Sequence, residues 1–349
     1  MRGLFVTGVE QTAIMDLPVP EPGPYEALVQ VLACGICNST DWKIIEGEFV
    51  SGSFPILLGH ESVGRVIRVG AQVRSFREGD LVLRSRLRDE HVPFPGGRSC
   101  WGGFVEQALV SDVWAERGAA YNAFPHPQQI VPSGIPPAQA VALITLKETL
   151  SCLRNSDVQP GQSLAIVGTG PVAQALTFFA DLSDIHPLVV FGRRAAWADR
   201  FARLGADAYV AGAPDDPGTS PLARQILESG GFDRAIEAVG SRSALARCLE
   251  VVEAQGRVNL YGIAAETEPY LAAHESDPRV FRAPVAEENV HDELIAWIEQ
   301  DRVDLADWIS HVLPWEDYQR GFDIVANKTA GGRPAAASRL GPKVVLEFA

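Results

Sequence analysis

Apolar and polar positions follow two different patterns along the chain. In the N-terminal part, short β-rich runs are separated by Gly and Pro, and these runs are Ala27–Leu32, Ser62–Val69, Leu81–Leu83 and Phe104–Val110. Alternation over such short runs, bounded by turn residues, is typical of an antiparallel, barrel-like region.

From about Leu150 onward, predicted strands alternate with predicted helices. The strands are Ser163–Val167, Leu188–Phe191, Arg234–Ala238 and Arg257–Tyr261. The helices are Pro171–Leu182, Trp197–Leu204 and Ser243–Val252. Strands that alternate with helices of this length indicate an α/β fold with a parallel, doubly wound sheet.

The last part of the chain changes character again. It contains two predicted amphipathic helices, Asp292–Gln300 and Pro314–Val325, and a final strand, Lys343–Leu346. The simplest layout is a β-rich domain built from residues 1–152 and 286–349, with a nucleotide-binding domain at 153–285 inserted between them. Two further segments, 119–137 and 329–342, are predicted to be long surface loops.

Composition narrows the functional classes. The 349 residues carry a formal net charge of -14, with 46% hydrophobic and 21% charged residues. Nucleic-acid and anionic membrane surfaces need clustered cations, so neither is an expected partner. No apolar run approaches the roughly 20 residues of a membrane span, and the N-terminus lacks the apolar block of a signal peptide. We therefore expect a cytoplasmic protein, in which the five cysteines form no disulfide framework.

A glycine motif lies between the first predicted strand and helix of the inserted domain. It reads Gly168-Thr169-Gly170-Pro171-Val172-Ala173. In a dinucleotide site the first Gly permits a tight turn, the second lets the backbone approach the pyrophosphate, and the third position needs a small residue. An ordinary strand-to-helix turn is the alternative, but the flanking pattern favours a dinucleotide site.

The end of the next strand indicates which dinucleotide. NAD sites place a carboxylate about 20 residues after the motif, where it binds the ribose hydroxyls. Here the strand ends at Gly192, and Arg193 and Arg194 follow. Two guanidiniums and no carboxylate favour the 2′-phosphate of NADP(H).

A possible metal site lies in the N-terminal part. Cys37 closes a Cys-Gly-Ile-Cys run, and His60 follows in Gly59-His60-Glu61. Thiolate and imidazole are ligands that Zn²⁺ prefers. This pair alone is weak evidence for a metal site.

The wider run is more specific. Gly59–Gly64, with Gly70, Val73, Gly79-Asp80 and Val82, resembles the signature of the zinc-type alcohol dehydrogenases among the medium-chain dehydrogenases/reductases. The resemblance extends over essentially the whole chain, through Trp101–Glu106, Phe232–Gly240 and His311–Asp323. It implies a GroES-like catalytic domain and a Rossmann domain.

The resemblance also implies roles for individual residues. Cys37 and His60 would be zinc ligands, Glu61 a nearby or interchangeable ligand, and Ser39 the hydroxyl that carries away the alcohol proton. Gly192-Arg193-Arg194 resembles the Gly-Ser-Arg pattern of NADP-specific secondary-alcohol dehydrogenases. The expected cofactor-binding residues are Thr149, Gly168, Gly170, Pro171, Val172, Gly192, Arg193, Arg194, Val239 and Gly262.

Three departures from the family pattern matter. The third ligand position aligns with Thr145, so zinc could use a water, recruit Glu148 or be absent. A structural zinc is not expected, because only Cys100 lies in the region of that lobe. Trp42 stands where many relatives have the last His of the proton relay, which leaves Asp41 or a water to complete it.

The other cysteines are expected to be core residues. Cys34 would pack beside the site, while Cys152 and Cys248 lie within apolar helical patterns.

The expected function is zinc-assisted hydride transfer between NADP(H) and a small alcohol or carbonyl compound. The resemblance favours a polyol, sugar or other secondary alcohol, and a homodimer or homotetramer. Trp42, Trp101 and Glu106 are expected near the substrate. Two alternatives stay open: a zinc-independent NADPH-dependent reductase of alkenes or quinones, and a non-catalytic NADPH-binding protein.

Overall fold

The chain divides into two compact units. The computed structural model describes residues 1–37, 40–47, 53–118, 129–212, 220–262, 277–326 and 343–349. Unit 1 comprises Met1–Lys147 and Glu287–Ala349, and unit 2 comprises Glu148–Ala286. From the sequence alone, these boundaries are expected after residues 152 and 285. Ser39 and the segments 119–128 and 329–342 lie outside the described residues.

The strands are numbered in chain order. They are β1 Arg2–Gly8, β2 Gln11–Asp16, β3 Glu26–Ile36, β4 Ile56–Leu57, β5 Glu61–Val69, β6 Leu81–Leu83, β7 Arg98–Ser99, β8 Gln107–Ser111, β9 Ile130–Val131, β10 Leu164–Val167, β11 Leu188–Gly192, β12 Ala208–Ala211, β13 Phe232–Glu237, β14 Val252–Leu260, β15 Val280–Phe281, β16 Ile309–Pro314 and β17 Lys343–Glu347.

The α-helices are numbered in the same way. They are α1 Asp41–Ile45, α2 Val113–Arg117, α3 Pro137–Asn155, α4 Pro171–Leu182, α5 Ala198–Arg203, α6 Pro221–Glu228, α7 Arg242–Val251, α8 His291–Glu299 and α9 Tyr318–Val325. The first unit boundary falls within α3. None of the helices among the described residues has the length and apolar character needed to cross a lipid bilayer.

Unit 2 contains a parallel sheet. Within the described residues its strand order is β12-β11-β10-β13-β14-β15, and every neighbouring pair is parallel. Numbered from the first strand of the unit, this is the order 3-2-1-4-5-6 of a dinucleotide-binding fold. The predicted doubly wound sheet is confirmed.

Unit 1 is rich in β-structure. Its larger sheet has the order β16-β17-β3-β5-β6-β9, with β8 also paired to β3, and its smaller sheet has the order β2-β1-β4-β7. Most of the pairings are antiparallel, and β16–β17 and β4–β7 are parallel. Because β17 pairs with β3, both ends of the chain contribute to one sheet.

Local sequence explains several boundaries. Helix α4 spans Pro171–Leu182 as predicted, with Pro171 at its first position, where the missing N–H costs no helical hydrogen bond. The predicted helix at Pro314–Val325 is wrong at its start. Residues up to Pro314 form β16, and a short 3₁₀ turn precedes Tyr318, where the α-helix begins.

Other elements were missed. The hairpin of β1 and β2 and the strand β12 are short segments whose half-polar sequences give weak periodicity. Part of the predicted 119–137 loop is ordered structure, because Ile130–Val131 forms β9 and α3 begins at Pro137.

The cysteine predictions are confirmed where burial tests them. Cys34, Cys152 and Cys248 have no exposed surface. Burial raises the pKa of all three thiols, to about 12 for Cys152, so these groups remain neutral core thiols.

A buried carboxylate organises one corner of unit 1. Asp112 caps α2 through Ala115 N (3.0 Å) and accepts hydrogen bonds from Arg74 N (2.7 Å), Ser75 N (2.7 Å) and Ser75 Oγ (2.8 Å). Burial acts to raise the pKa of Asp112, but these donors outweigh it and the net pKa is lowered.

We expect Asp112→Ala to lower the free energy of unfolding by about 2–4 kcal/mol, because one cap and several buried donors lose their acceptor. Urea unfolding at neutral pH measures the loss. Since the folded pKa is depressed, the contribution of the charged carboxylate is complete above the unfolded pKa of about 3.9 and is lost as pH falls through the folded pKa. The control is Asp16→Ala at an exposed position. Equal stability losses in the two variants would contradict the prediction.

Candidate metal and cofactor sites

Three side chains with metal-binding atoms meet in unit 1. The ligand atoms of Cys37, His60 and Glu61 all lie within 4.8 Å of one another. Cys37 follows β3 and Glu61 begins β5, and the antiparallel register pairs Gly35 with Glu61. The sheet therefore brings together residues that are more than twenty positions apart in sequence.

Two glycines make room for this arrangement. A Cβ atom at Gly35 would collide with the Glu61 carboxylate and lie 2.7 Å from Val141 Cγ1. Gly59 has a left-handed backbone, with φ of 101°, and a Cβ atom there would collide with Phe104 N. Both positions exclude larger residues for steric reasons.

Asp41 links two of the candidate ligands. Its Oδ2 accepts a hydrogen bond from Cys37 N at 2.9 Å, and its Oδ1 lies 3.4 Å from His60 Nδ1. His60 Nδ1 has no hydrogen-bond partner within the described residues. This placement turns Nδ1 toward the carboxylate and leaves Nε2 for a metal, as in carboxylate–histidine–metal sites.

The electrostatics of His60 follow from its neighbours. Burial acts to lower the pKa of His60, but the carboxylate of Asp41 and the nearby Cys37 outweigh it, and the pKa is raised well above its ordinary value. A cation is therefore stabilised between these groups, either as a proton or as a metal that replaces it.

Glu61 is held by a buried ion pair. Lys343 Nζ donates to Glu61 Oε1 at 2.7 Å and to Oε2 at 2.6 Å, and Thr145 Oγ1 donates to Oε1 at 3.2 Å. Burial acts to raise the pKa of Glu61, but the Lys343 ammonium outweighs it and the net pKa is lowered. Thr145, which the sequence resemblance places at the third ligand position, thus binds Glu61.

The donor set fits zinc. Cys37 and His60 supply a thiol sulfur and an imidazole nitrogen, and His60 Nε2 lies 4.0 Å from Glu61 Oε1. Zinc–ligand bonds of about 2.0–2.3 Å allow one ion to bridge atoms at such separations. Among the described residues, the group of potential ligands does not include Glu148.

The surroundings of His60 are aromatic and charged. The Trp101 ring lies 5.4 Å from the His60 ring, measured between centroids. Arg84 Nη1 donates to the backbone oxygen of His60 at 2.9 Å, and the same guanidinium binds the buried Glu287 carboxylate. These contacts fix the backbone on which the imidazole stands.

Trp42 and Glu106, which are also predicted near the substrate, each contact another side chain of unit 1. Trp42 packs against Phe322 with 6.4 Å between ring centroids. Glu106 forms an ion pair with Arg2 at 2.8 Å. Ser39 lies outside the described residues, so the predicted proton relay stays a prediction.

The glycine motif of unit 2 has the expected local geometry. Gly168 has φ of 140° and lies beside Val239, whose Cγ2 would be 3.1 Å from a Cβ atom at this position. At Gly170, the N-cap of α4, a Cβ atom would meet nothing within 4 Å. Protein packing does not demand glycine at 170, which fits a position kept open for a phosphate group. Ala173 is fully buried.

A second feature lies where β11 ends. Gly192 stands against the Tyr209 hydroxyl, which a Cβ atom at this position would strike, and this hydroxyl donates to the Arg194 backbone oxygen at 2.8 Å. Arg193 and Arg194 are exposed. A side chain at position 192 would have to displace the Tyr209 hydroxyl, and two exposed arginines follow the strand end.

The remaining predicted cofactor residues also belong to unit 2. Pro171 and Val172 form the first turn of α4, and Val239 and Gly262 follow the strands β13 and β14. Thr149 lies within α3 and has no exposed surface.

Sequence reasoning missed several residues. The sequence indicates only that Lys343 begins a strand, and no local pattern shows that its ammonium is buried against Glu61. Asp41 was considered only as a relay residue. No sequence signal pointed to Tyr209, because its role depends on a contact with Gly192.

The chain is similar in sequence to known alcohol dehydrogenases. Residues 23–117 match the alcohol dehydrogenase GroES-like domain. A Mycobacterium tuberculosis protein described as a probable zinc-binding alcohol dehydrogenase is 27% identical over 343 residues, covering 92% of this chain and 84% of its own. The NADP-dependent isopropanol dehydrogenase of Thermoanaerobacter brockii is 26% identical over 278 residues, covering 75% and 76%.

The fold also matches a solved structure. Alcohol dehydrogenase TADH from Thermus sp. ATN1 superimposes with a TM-score of 0.76 at 23% identity, covering 100% of both chains. Residues 23–117 thus match an alcohol dehydrogenase GroES-like domain, and most of the chain is similar to proteins named as alcohol dehydrogenases.

Proposed function

We propose that this protein is an NADP(H)-dependent oxidoreductase that interconverts a secondary alcohol and its carbonyl with the help of one zinc ion. The observation that carries the proposal is the convergence of Cys37, His60 and Glu61 in unit 1. The similarity to alcohol dehydrogenases and the cofactor features of unit 2 support the same reaction.

The residues of unit 1 have separable roles. Cys37 and His60 would hold the metal, Asp41 would orient the imidazole, and Glu61, which pairs with Lys343, would be the third ligand. When bound, zinc supplies a Lewis acid that polarises the substrate oxygen. Lys343 limits the negative charge of the site by pairing with Glu61.

The residues of unit 2 select and hold the dinucleotide. Gly168, Gly170 and the N-terminus of α4 receive the pyrophosphate, since free N–H groups and the helix dipole favour anions. Arg193 and Arg194 bind the 2′-phosphate, and Gly192 with Tyr209 excludes the acid of an NAD site. The cofactor supplies or accepts the hydride.

The substrate class rests on resemblance. The T. brockii relative is named for isopropanol, a secondary alcohol. A polyol or sugar is a secondary alcohol in the chemical sense and belongs to the same proposal. The Trp101 ring beside His60 supplies an apolar surface next to the reacting oxygen.

A second candidate function has one observation in its favour. The Glu61 carboxylate is engaged on both oxygens by Lys343, and Thr145 stands at the third ligand position. A zinc-independent NADPH-dependent reductase would use this unit without metal. Zinc analysis of the purified protein, combined with an alcohol panel and an alkene panel, separates the two functions.

Replacing Cys37 with Ala is expected to lower alcohol turnover by more than about a thousandfold, because the metal loses its thiolate ligand. Bound zinc falls in parallel, and the Kd for NADPH stays within about twofold because unit 2 is untouched. The control is Cys100→Ala, whose thiol lies outside the ligand group. Undiminished turnover in Cys37→Ala would refute the metal role.

Replacing Lys343 with Met removes the ammonium from a buried carboxylate. Breaking such a pair is expected to cost about 3–5 kcal/mol of stability in metal-free protein. Zinc then gains a free Glu61 ligand, so added zinc should raise the Tm of Lys343→Met more than that of the wild type. The double variant Glu61→Gln/Lys343→Met is the control and should lose this extra response. Equal zinc responses in all three proteins would show that Glu61 is not a ligand.

Replacing Arg193 and Arg194 together with Ala is expected to raise the Kd for NADPH by about a hundredfold, since two charge-assisted contacts to the 2′-phosphate are lost. The Kd for NADH should change by less than about threefold. Fluorescence titration measures both constants. Arg203→Ala, an exposed position at the end of α5, is the control. Parallel weakening of both dinucleotides would argue against this phosphate site.

A further inference from the structure

A buried carboxylate ends the fourth strand of the unit 2 sheet. Glu237, the last residue of β13, has no exposed surface. Its Oε1 accepts hydrogen bonds from Val239 N at 2.9 Å and Gly240 N at 2.8 Å, and its Oε2 accepts from Gly240 N at 3.1 Å. The side chain thus satisfies backbone donors of the loop that follows its own strand.

The same residue is bonded to the neighbouring loop. Tyr261 N and Gly262 N, just beyond β14, donate to the Glu237 backbone oxygen at 3.0 and 2.9 Å. A Cβ atom at Gly262 would collide with Gly240 N and with the Glu237 carboxylate. Glu237 therefore joins the loop after β13 to the loop after β14.

The sheet topology shows what these loops face. The strand order reverses between β10 and β13, and a dinucleotide binds across such a point at the carboxyl ends of the strands. The half with β10, β11 and β12 carries the pyrophosphate motif and the Arg193–Arg194 pair. The half with β13 and β14 is left for the nicotinamide mononucleotide.

Contacts at the carboxyl edge of the sheet agree with this assignment of the nicotinamide mononucleotide to the β13–β14 half. Val239 lies next to Gly168 of the phosphate motif and is 45% exposed, so its side chain is available to a ligand at this edge. The buried carboxylate beneath it holds the backbone on which Val239 stands.

We infer that Glu237 is a positioning residue for the nicotinamide half of the cofactor, acting through the Val239 and Gly262 loops. This inference rests on the proposed binding of NADP(H). The carboxylate is suited to the task because one acceptor-only group takes several backbone donors, whereas an amide at this position would turn an N–H₂ group toward N–H groups. Burial raises the pKa of Glu237, and the backbone donors oppose that rise.

The test compares a full cofactor with its adenosine half. Isothermal titration calorimetry gives the Kd of NADPH and of adenosine 2′,5′-bisphosphate, which lacks the nicotinamide. In Glu237→Gln, the Kd for NADPH is expected to rise about tenfold, and that for the bisphosphate to stay within about twofold. A general loosening of unit 2 would weaken both ligands together.

Asp233→Asn is a matched control on the same strand. Asp233 binds Ser163 N at 2.8 Å and Ser163 Oγ at 2.7 Å toward the opposite end of β13, so its loss removes comparable hydrogen bonds away from the cofactor edge. Its ratio of the two dissociation constants should equal that of the wild type. A Glu237→Gln ratio equal to that of Asp233→Asn would overturn the inference.

Two other experimental results would also be decisive. If Glu237→Gln does not fold, Glu237→Asp is measured in the same way, since it keeps the carboxylate but shortens the side chain by one methylene. A ratio of the two Kd values equal to that of the wild type would then overturn the inference. If wild-type protein binds neither ligand, the proposed cofactor itself is wrong, which is a different failure.

Discussion

The ion pair between Glu61 and Lys343 connects the two chain segments that build unit 1. Both carboxylate oxygens bind the ammonium, across 282 residues of sequence, and Thr145 adds a third contact. Removing two charges from water is costly, and only close geometry with further hydrogen bonds offsets that cost. The pair therefore depends on the pairing of β17 with β3 and of β3 with β5, which together carry the two residues to the same place.

This pair also sets the charge of the candidate metal site. A thiolate, a glutamate and the nearby Asp41 would repel one another strongly in a buried space. Lys343 compensates Glu61, and a cation held between Asp41, Cys37 and His60, either a proton or a metal, would compensate Asp41. Cys37 and His60 have their ligand atoms close enough together to share a metal. Glu61 lies within reach of a metal held by Cys37 and His60, so the arrangement does not need a metal ligand at Thr145.

Local signals and distant contacts differ in how well the sequence reveals them. The order strand, Gly168 motif, helix α4 follows from neighbouring residues, and the absence of an acid at Gly192 is visible in one position. Helices α4 and α7 of unit 2 were predictable for the same reason, whereas α6 was missed. Lys343 and Tyr209 were not, because each matters only through a partner far away in the chain. The start of the last helix was misplaced because Pro314 suits both a strand end and a helix start.

Buried carboxylates accept hydrogen bonds from loop backbones at several places in the described chain. Loops that leave a sheet expose backbone N–H groups with no strand partner, and an acceptor-only side chain satisfies several of them at once. Asp112 does so for Arg74 and Ser75, and Glu237 for Val239 and Gly240, while Asp41 accepts one such hydrogen bond from Cys37 N. Burial and hydrogen-bond donors act on these pKa values in opposite directions. The donors outweigh burial and lower the pKa of Asp112, whereas burial outweighs the donors and raises the pKa of Glu237. Glu237 is thus buried at an electrostatic cost and holds its loop in a defined conformation. A cofactor-binding loop requires such a defined conformation.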